Sequence, residues 1–172
     1  RAAETFVSRL MDPRKAGLDA RHAFIALSVY SQGCVTHVLR ANLETGPWLS
    51  QLDDVMVDAV EWLTADVLDP GQRKQVFMRL ADGGLGLASA KDVAARAYLG
   101  SWALTLHEVA GVVGSSSWTA FQESCAPVAA TIEEAEARLR HQLQGNIPGL
   151  DWIACLRAAQ PKMQGLWGDL AK

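Results

Sequence analysis

The sequence predicts an all-α fold, and three observations support this prediction. Apolar residues recur at three- and four-residue steps over long stretches, as they do on one face of a helix. Residues that favour helix starts stand just before these stretches, whereas no alternating β-branched run predicts a strand. The 172 residues are 49% hydrophobic and 20% charged, which is ordinary for a globular protein. We therefore expect about seven to nine helices.

Three helices are predicted in the first part of the chain. A short one covers residues 4–11, and Asp19 can cap a long one that runs through Ala41. Glycine at position 33 weakens the long helix. The spacing Ser-x-x-Asp at residues 50–53 resembles a capping box and predicts a helix with one apolar stripe through about Leu68.

Further helix starts follow along the chain. Asp69 is a carboxylate cap with proline at the next position, and Ser89 with Asp92 opens a strongly apolar helix through about Val109. A serine run at 115–117 can cap the next helix. The remaining predicted elements are an inward-facing set Val76, Phe77 and Leu80, a helix over 118–124, a helix over 126–144, and helical segments over 149–160 and 161–170.

A glycine-rich turn over residues 83–87 interrupts the helical pattern. Three glycines, Gly83, Gly84 and Gly86, permit backbone geometry that other residues avoid, and we expect a positive φ at one or more of them. Neither the Gly-x-Gly-x-x-Gly pattern of dinucleotide-binding folds nor the P-loop pattern is present. The segment therefore predicts a tight connection between two packed helices.

No catalytic or metal-binding set is complete in this sequence. Cys34 and His37 suit one helical face, but a structural zinc site needs a second pair, which the other cysteines and histidines do not form. The serines at 115–117 lack the Gly-x-Ser-x-Gly nucleophile elbow, and Cys125 has no local signature of a nucleophile. We predict no catalytic residue, no metal and no cofactor.

Charge is unevenly distributed along the chain, whose net charge is −3. Residues 41–72 contain seven acidic side chains and no lysine or arginine. Residues 73–99 contain five basic and two acidic side chains. A phosphate backbone repels the first segment and attracts the second. The acidic residues of 53–61 fall largely off the apolar stripe and are interpreted as a solvated face.

The cysteines and the hydropathy pattern bear on compartment. Three widely spaced cysteines argue against a disulfide framework and favour a reducing, intracellular compartment, without choosing among nucleus, cytosol and organelle. The most apolar stretch, 97–106, is too short for a bilayer span, which needs about 20 residues.

The six tryptophans suit either a core or an interface, and Trp152 and Trp167 are candidates for a protein interface.

Three motifs follow one another along the chain: a Leu-rich helix that ends in Leu-Arg at 39–40, Gly-Gly-Leu-Gly-Leu at 83–87, and Ala-Tyr-Leu-Gly-Ser-Trp at 97–102. Together they resemble the helical, thumb-like region that follows the palm in reverse transcriptases of non-LTR retrotransposons. The resemblance covers residues 1–110, and its specific part is the pair of motifs at 83–87 and 97–102. The resemblance implies a related helical fold for 1–110, with 111–172 as an additional helical segment. It implies no catalytic residue here, because the polymerase motif Tyr-x-Asp-Asp would lie upstream of Arg1.

The sequence also departs from the family pattern. Ala88 stands where the family's turn usually has arginine, and Gly-Cys-Val at 33–35 replaces a common Pro-Arg pair. Two functions therefore remain open. The first is a polymerase accessory that steadies an RNA or DNA template–primer duplex; its candidate contacts are Arg73, Lys74, Arg79, Lys91 and Arg96. The second is a helical structural subunit that binds other proteins of a larger complex and has no nucleic-acid role.

Overall fold

The fold is helical throughout the part of the chain that the structure describes. This computed structural model describes Thr5 and residues 18–43 and 46–143, without the side chains of residues 30–32 and 34. No strand occurs within those ranges, so the all-α prediction is confirmed there. The elements are α1 (Ala20–Ala41), α2 (Trp48–Thr64), α3 (Pro70–Phe77), a 3₁₀ turn (Leu80–Asp82), α4 (Ala90–Val112), α5 (Trp118–Ser124) and α6 (Ala126–Gln142).

Local capping explains where most of these helices begin. The carboxylate of Asp19 accepts a hydrogen bond from the backbone N–H of His22 at 2.9 Å, as predicted. At α3 the predicted start is also confirmed, with a complete capping box. The Asp69 carboxylate accepts from the backbone of Gln72 at 2.9 Å, and the Gln72 side chain accepts from the backbone of Asp69 at 2.8 Å.

The capping box predicted for Ser50 and Asp53 at the start of α2 does not form. The helix begins at Trp48 after Pro47, without a side-chain cap. The helix also ends earlier than predicted, at Thr64, because Ala65 adopts the left-handed conformation with φ 54°. Val67 therefore lies beyond the helix and is 79% exposed instead of continuing the apolar stripe.

The glycine turn, residues 83–87, is held by backbone hydrogen bonds to the end of α3. The N–H of Leu85 donates to the carbonyl of Gln75 at 2.9 Å, and the N–H of Gly86 donates to that of Met78 at 2.8 Å. The φ angles of Gly83 and Gly86 are +82° and +72°, as the sequence predicted. At Gly84 the constraint is space instead, since an added Cβ would overlap the backbone carbonyl of Met78.

The contacts divide the chain into two compact units, and the division falls inside α1 and α4. The first unit contains residues 1–38 and 44–93, and the second contains 39–43 and 94–172. In the first unit, apolar side chains from α1, α2 and α3 pack together with one from the last residue of the glycine turn. The buried members are Ala23, Leu27, Met56, Val57, Ala59, Val60, Val76 and Leu87.

The inward-facing set predicted around α3 is only partly right. Val76 is 1% exposed, and Phe77 packs against the core at partial burial. Leu80, however, is 76% exposed. The helical period that placed it inside stops at Phe77, where α3 ends.

The core of the second unit lies among α4, α5 and α6. Phe121 and Ile132 are fully buried there, and Trp102 and Trp118 pack against it with partial burial. Trp118 stacks on Phe121 at a ring-centroid distance of 5.5 Å. The predicted capping of α5 is confirmed, since the Ser117 hydroxyl accepts from the backbone N–H of Ala120 at 3.2 Å.

Gly84 offers a test of the turn geometry. Gly84→Ala should lower the free energy of unfolding by more than about 1 kcal/mol, because the new Cβ would displace rigid backbone at Met78. Urea denaturation followed by circular dichroism measures this. Gly33→Ala is the matched control, since its Cβ would meet nothing within 4 Å, and it should stabilise α1 by up to about 1 kcal/mol. Equal effects of the two substitutions would contradict the packed geometry of the turn.

Candidate functional site

Four of the five basic residues that the sequence predicts as nucleic-acid contacts belong to the first unit, as the glycine turn does. Arg73 is held within the first unit. Its guanidinium Nη2 lies 2.7 Å from Oε1 of Glu61, and its Nε donates to the carbonyl of Leu68 at 3.3 Å. The same Glu61 oxygen accepts from the backbone N–H of Leu68 at 3.1 Å. Arg73 therefore joins the end of α2 to α3.

Arg79 is also paired with a carboxylate. Its Nε lies 2.7 Å from Oδ2 of Asp82, across the 3₁₀ turn that leads into the glycine turn. Both side chains are largely exposed, so solvent screens the pair and its contribution to stability is small. The negative charge of the Asp82 carboxylate nevertheless offsets the positive charge of Arg79.

Lys74, unlike Arg73 and Arg79, has no carboxylate partner in the described part of the chain. It is exposed, and within the described part of the chain it makes no hydrogen bond or ion pair. Its neighbour Gln75 accepts the hydrogen bond from Leu85, so Lys74 lies beside the glycine turn.

The remaining two predicted contacts lie on α4. Lys91 is exposed in the first turn of that helix, in the first unit, whereas Arg96 is half-buried and belongs to the second unit.

Three apolar side chains on the glycine turn or just before it are exposed, and the sequence did not predict them as part of a site. Met78 is 40% exposed and Leu85 is 38% exposed, beside the more exposed Leu80. The Leu80 side chain lies over Gly86, where an added Cβ would approach it to 3.1 Å. The sequence could have predicted this exposure. These three large apolar residues lie before or within a glycine-rich segment, where they are not on the buried face of a helix.

The sequence interpretation of Asp53 is wrong. It was assigned to a solvated acidic face, but it is half-buried. Its Oδ2 accepts from the hydroxyl of Ser89 at 2.6 Å, and its Oδ1 accepts from the backbone N–H of Ala90 at 2.6 Å. The Ser89 hydroxyl in turn accepts from the backbone N–H of Asp92 at 3.2 Å, which confirms the predicted helix start. Asp53 thus caps α4 from a different helix.

The electrostatics of Asp53 combine opposing effects. Burial raises the pKa of its carboxyl above the ordinary value, and the hydrogen bonds from Ser89 and Ala90 oppose that rise. The carboxylate of Asp92 adds a repulsion that raises the pKa further. Asp54 and Asp58 are exposed, so the solvated acidic face is confirmed for these two residues.

Other candidate chemistry does not assemble in the described residues. Within 18–43 and 46–143, no group of three or more His, Cys, Asp or Glu side chains is placed to hold a metal ion. Across the same ranges, no helix is long and apolar enough to cross a membrane. The side chain of Cys34 and the tryptophans Trp152 and Trp167 lie outside the described residues.

Comparison with known proteins adds no further assignment. No family model, no curated protein and no solved structure matches the chain. The function is therefore argued from the geometry and from the residues themselves.

The Asp53 cap predicts a large difference between neighbouring acidic residues. Asp53→Ala leaves the Ser89 hydroxyl and the Ala90 N–H without their acceptor and should cost about 1–3 kcal/mol of unfolding free energy. Asp54→Ala, on the exposed side of the same helix, should change it by less than about 0.5 kcal/mol. Chemical denaturation of both variants at neutral pH measures the difference, and equal costs would contradict the capping role.

The raised pKa of Asp53 predicts a pH dependence. The folded state holds this proton more tightly than the unfolded chain, so the Asp53 contribution to stability is full below the unfolded pKa. It falls as pH rises through the folded pKa, in the window just above the ordinary aspartate value of 3.8. Asp53→Asn does not titrate there. Its unfolding free energy relative to wild type should therefore rise with pH across that window, as measured by denaturation at several pH values. A difference that falls would show that the pKa is lowered.

Proposed function

We propose that this chain is a non-catalytic helical module of the kind that follows the palm in retrotransposon-type reverse transcriptases, and that it contacts template–primer nucleic acid. The observation that carries the proposal is the glycine turn with Lys74 beside it. This turn is the most specific part of the resemblance, and it is an ordered structure fixed to the end of α3 by backbone hydrogen bonds.

The exposed surface of the turn suits close approach by a nucleic-acid backbone. Gly83 is exposed, and no side chain lies near it to hold a phosphodiester chain away, since an added Cβ there would meet nothing within 4 Å. Lys74 lies on one side of the turn, and Lys91 follows it by four residues on α4. Lysine charges at such a surface attract phosphates without reading sequence, which is what a duplex-steadying module requires.

Four of the five predicted contacts divide into two roles in this proposal. Lys74 and Lys91 supply charge to the duplex. Arg73 supports the α2–α3 connection through Glu61, and Arg79 supports the turn through Asp82. Arg96 belongs to the second unit and has no role in this proposal.

The second candidate function is a structural subunit that binds other proteins of a larger complex and has no nucleic-acid role. The exposed Met78, Leu80 and Leu85 favour it, because clustered apolar side chains mark interaction sites. The internal pairing of Arg73 and Arg79 also favours it, since paired arginines attract phosphates less.

A salt titration tests the first function against the second. The 172-residue chain should bind a short RNA–DNA hybrid weakly, with log Kd rising linearly with log salt by about 0.9 per phosphate contact. Fluorescence anisotropy at several salt concentrations measures the slope. Lys74→Ala/Lys91→Ala should make the slope shallower by about 2, one unit for each lysine.

The matched control removes two arginines that pair with glutamates on α6. Arg138→Ala/Arg140→Ala changes net charge by the same amount, and both arginines form ion pairs four residues apart along that helix. It should leave the slope unchanged. Equal loss in both double variants would show non-specific attraction, and absence of binding at low salt would overturn the polymerase-type function and leave the second candidate.

A further inference from the structure

The outward face of α1 is apolar and positively charged. Arg21, Ile25 and Val29 lie on successive turns, and Ile25 and Val29 are 49% and 60% exposed. The opposite face of the helix, with Ala23 and Leu27, is fully buried in the first unit. The Arg21 guanidinium makes no hydrogen bond or ion pair within the described part of the chain. The sequence places no carboxylate between residues 20 and 43.

The outward face of α2 has the complementary character. Asp54, Asp58 and Trp62 lie on successive turns of that helix, and Trp62 is 39% exposed. The two carboxylates make no hydrogen bond or ion pair in the described residues. Met56 and Val60 point into the core from the other side of the helix. No lysine or arginine occurs between residues 41 and 72.

The two faces have the same length and carry charges of opposite sign. Each covers three residues spaced four apart, which is about 12 Å along a helix. If the helices pack in parallel, Arg21 lies beside Asp54, Ile25 beside Asp58 and Val29 beside Trp62. One end of this pairing is an ion pair and the other is an apolar contact with an aromatic ring, a combination common in protein interfaces.

From this complementarity we infer that the α1 face of one copy of the chain binds the α2 face of a second copy. Every copy carries both faces, and both are exposed in the same unit. The contact is therefore heterologous, and each added copy leaves one face of each kind open at the ends of the assembly. The assembly grows with concentration, and salt weakens it by screening the Arg21–Asp54 pair.

Two single variants test this arrangement because each removes one face and leaves the other intact. Val29→Glu places a carboxylate opposite the acidic α2 face, and Trp62→Glu removes the ring and adds like charge. Sedimentation velocity of the 172-residue chain over a concentration series should show association for wild type and monomer for each variant alone. An equimolar mixture should give a 1:1 dimer and nothing larger, since it contains one intact α1 face and one intact α2 face.

The control is Val112→Glu, a position that is 88% exposed at the end of α4 and on neither face. It should associate as wild type does, and circular dichroism should show the same helix content and melting temperature for all three variants. A wild-type chain that stays monomeric overturns the inference. So does association by either variant alone, or a mixture that stays monomeric. Lys74 and Lys91 lie on neither face, so this result is independent of nucleic-acid binding.

Discussion

The contact between the Asp53 carboxylate and the start of α4 is the interaction on which the first unit depends. The carboxylate meets the Ser89 hydroxyl and the Ala90 N–H, two donors at the end of the chain segment that leaves the glycine turn. The N-terminal end of a helix carries a partial positive charge, which offsets part of the cost of burying an anion. Without this acceptor, the segment between the turn and α4 would lose its anchor on α2.

A second set of contacts fixes the other side of the same segment. Backbone hydrogen bonds run from Leu85 and Leu87 back to the carbonyls of Gln75 and Val76, and the Leu87 side chain enters the core. The turn is therefore held at both ends, by α3 before it and by Asp53 after it. These contacts explain why the glycine turn, in which Leu85 and two glycines are exposed, has a defined structure.

Features determined within a few residues were predictable from the sequence, and longer-range features were not. The caps at Asp19, Asp69, Ser89 and Ser117 act within three residues, so their spacing is visible in the sequence. Asp53 meets Ser89 across 36 residues of chain, and no local pattern distinguishes it from Asp54. Charge counts found the basic residues but not their partners, which is why Arg73 and Arg79 look like free cations in the sequence and are ion pairs in the structure.

The tight approach at Gly84 has a consequence for how this gene can change. Every missense change in a glycine codon adds a Cβ, and at this position that atom would meet the carbonyl of Met78 whatever else the new residue carries. Gly83 is different, because its left-handed backbone has open space around it and asparagine can adopt that conformation. No amino-acid replacement at position 84 is therefore neutral for the packing of this turn, and a sequence that keeps the fold keeps glycine there.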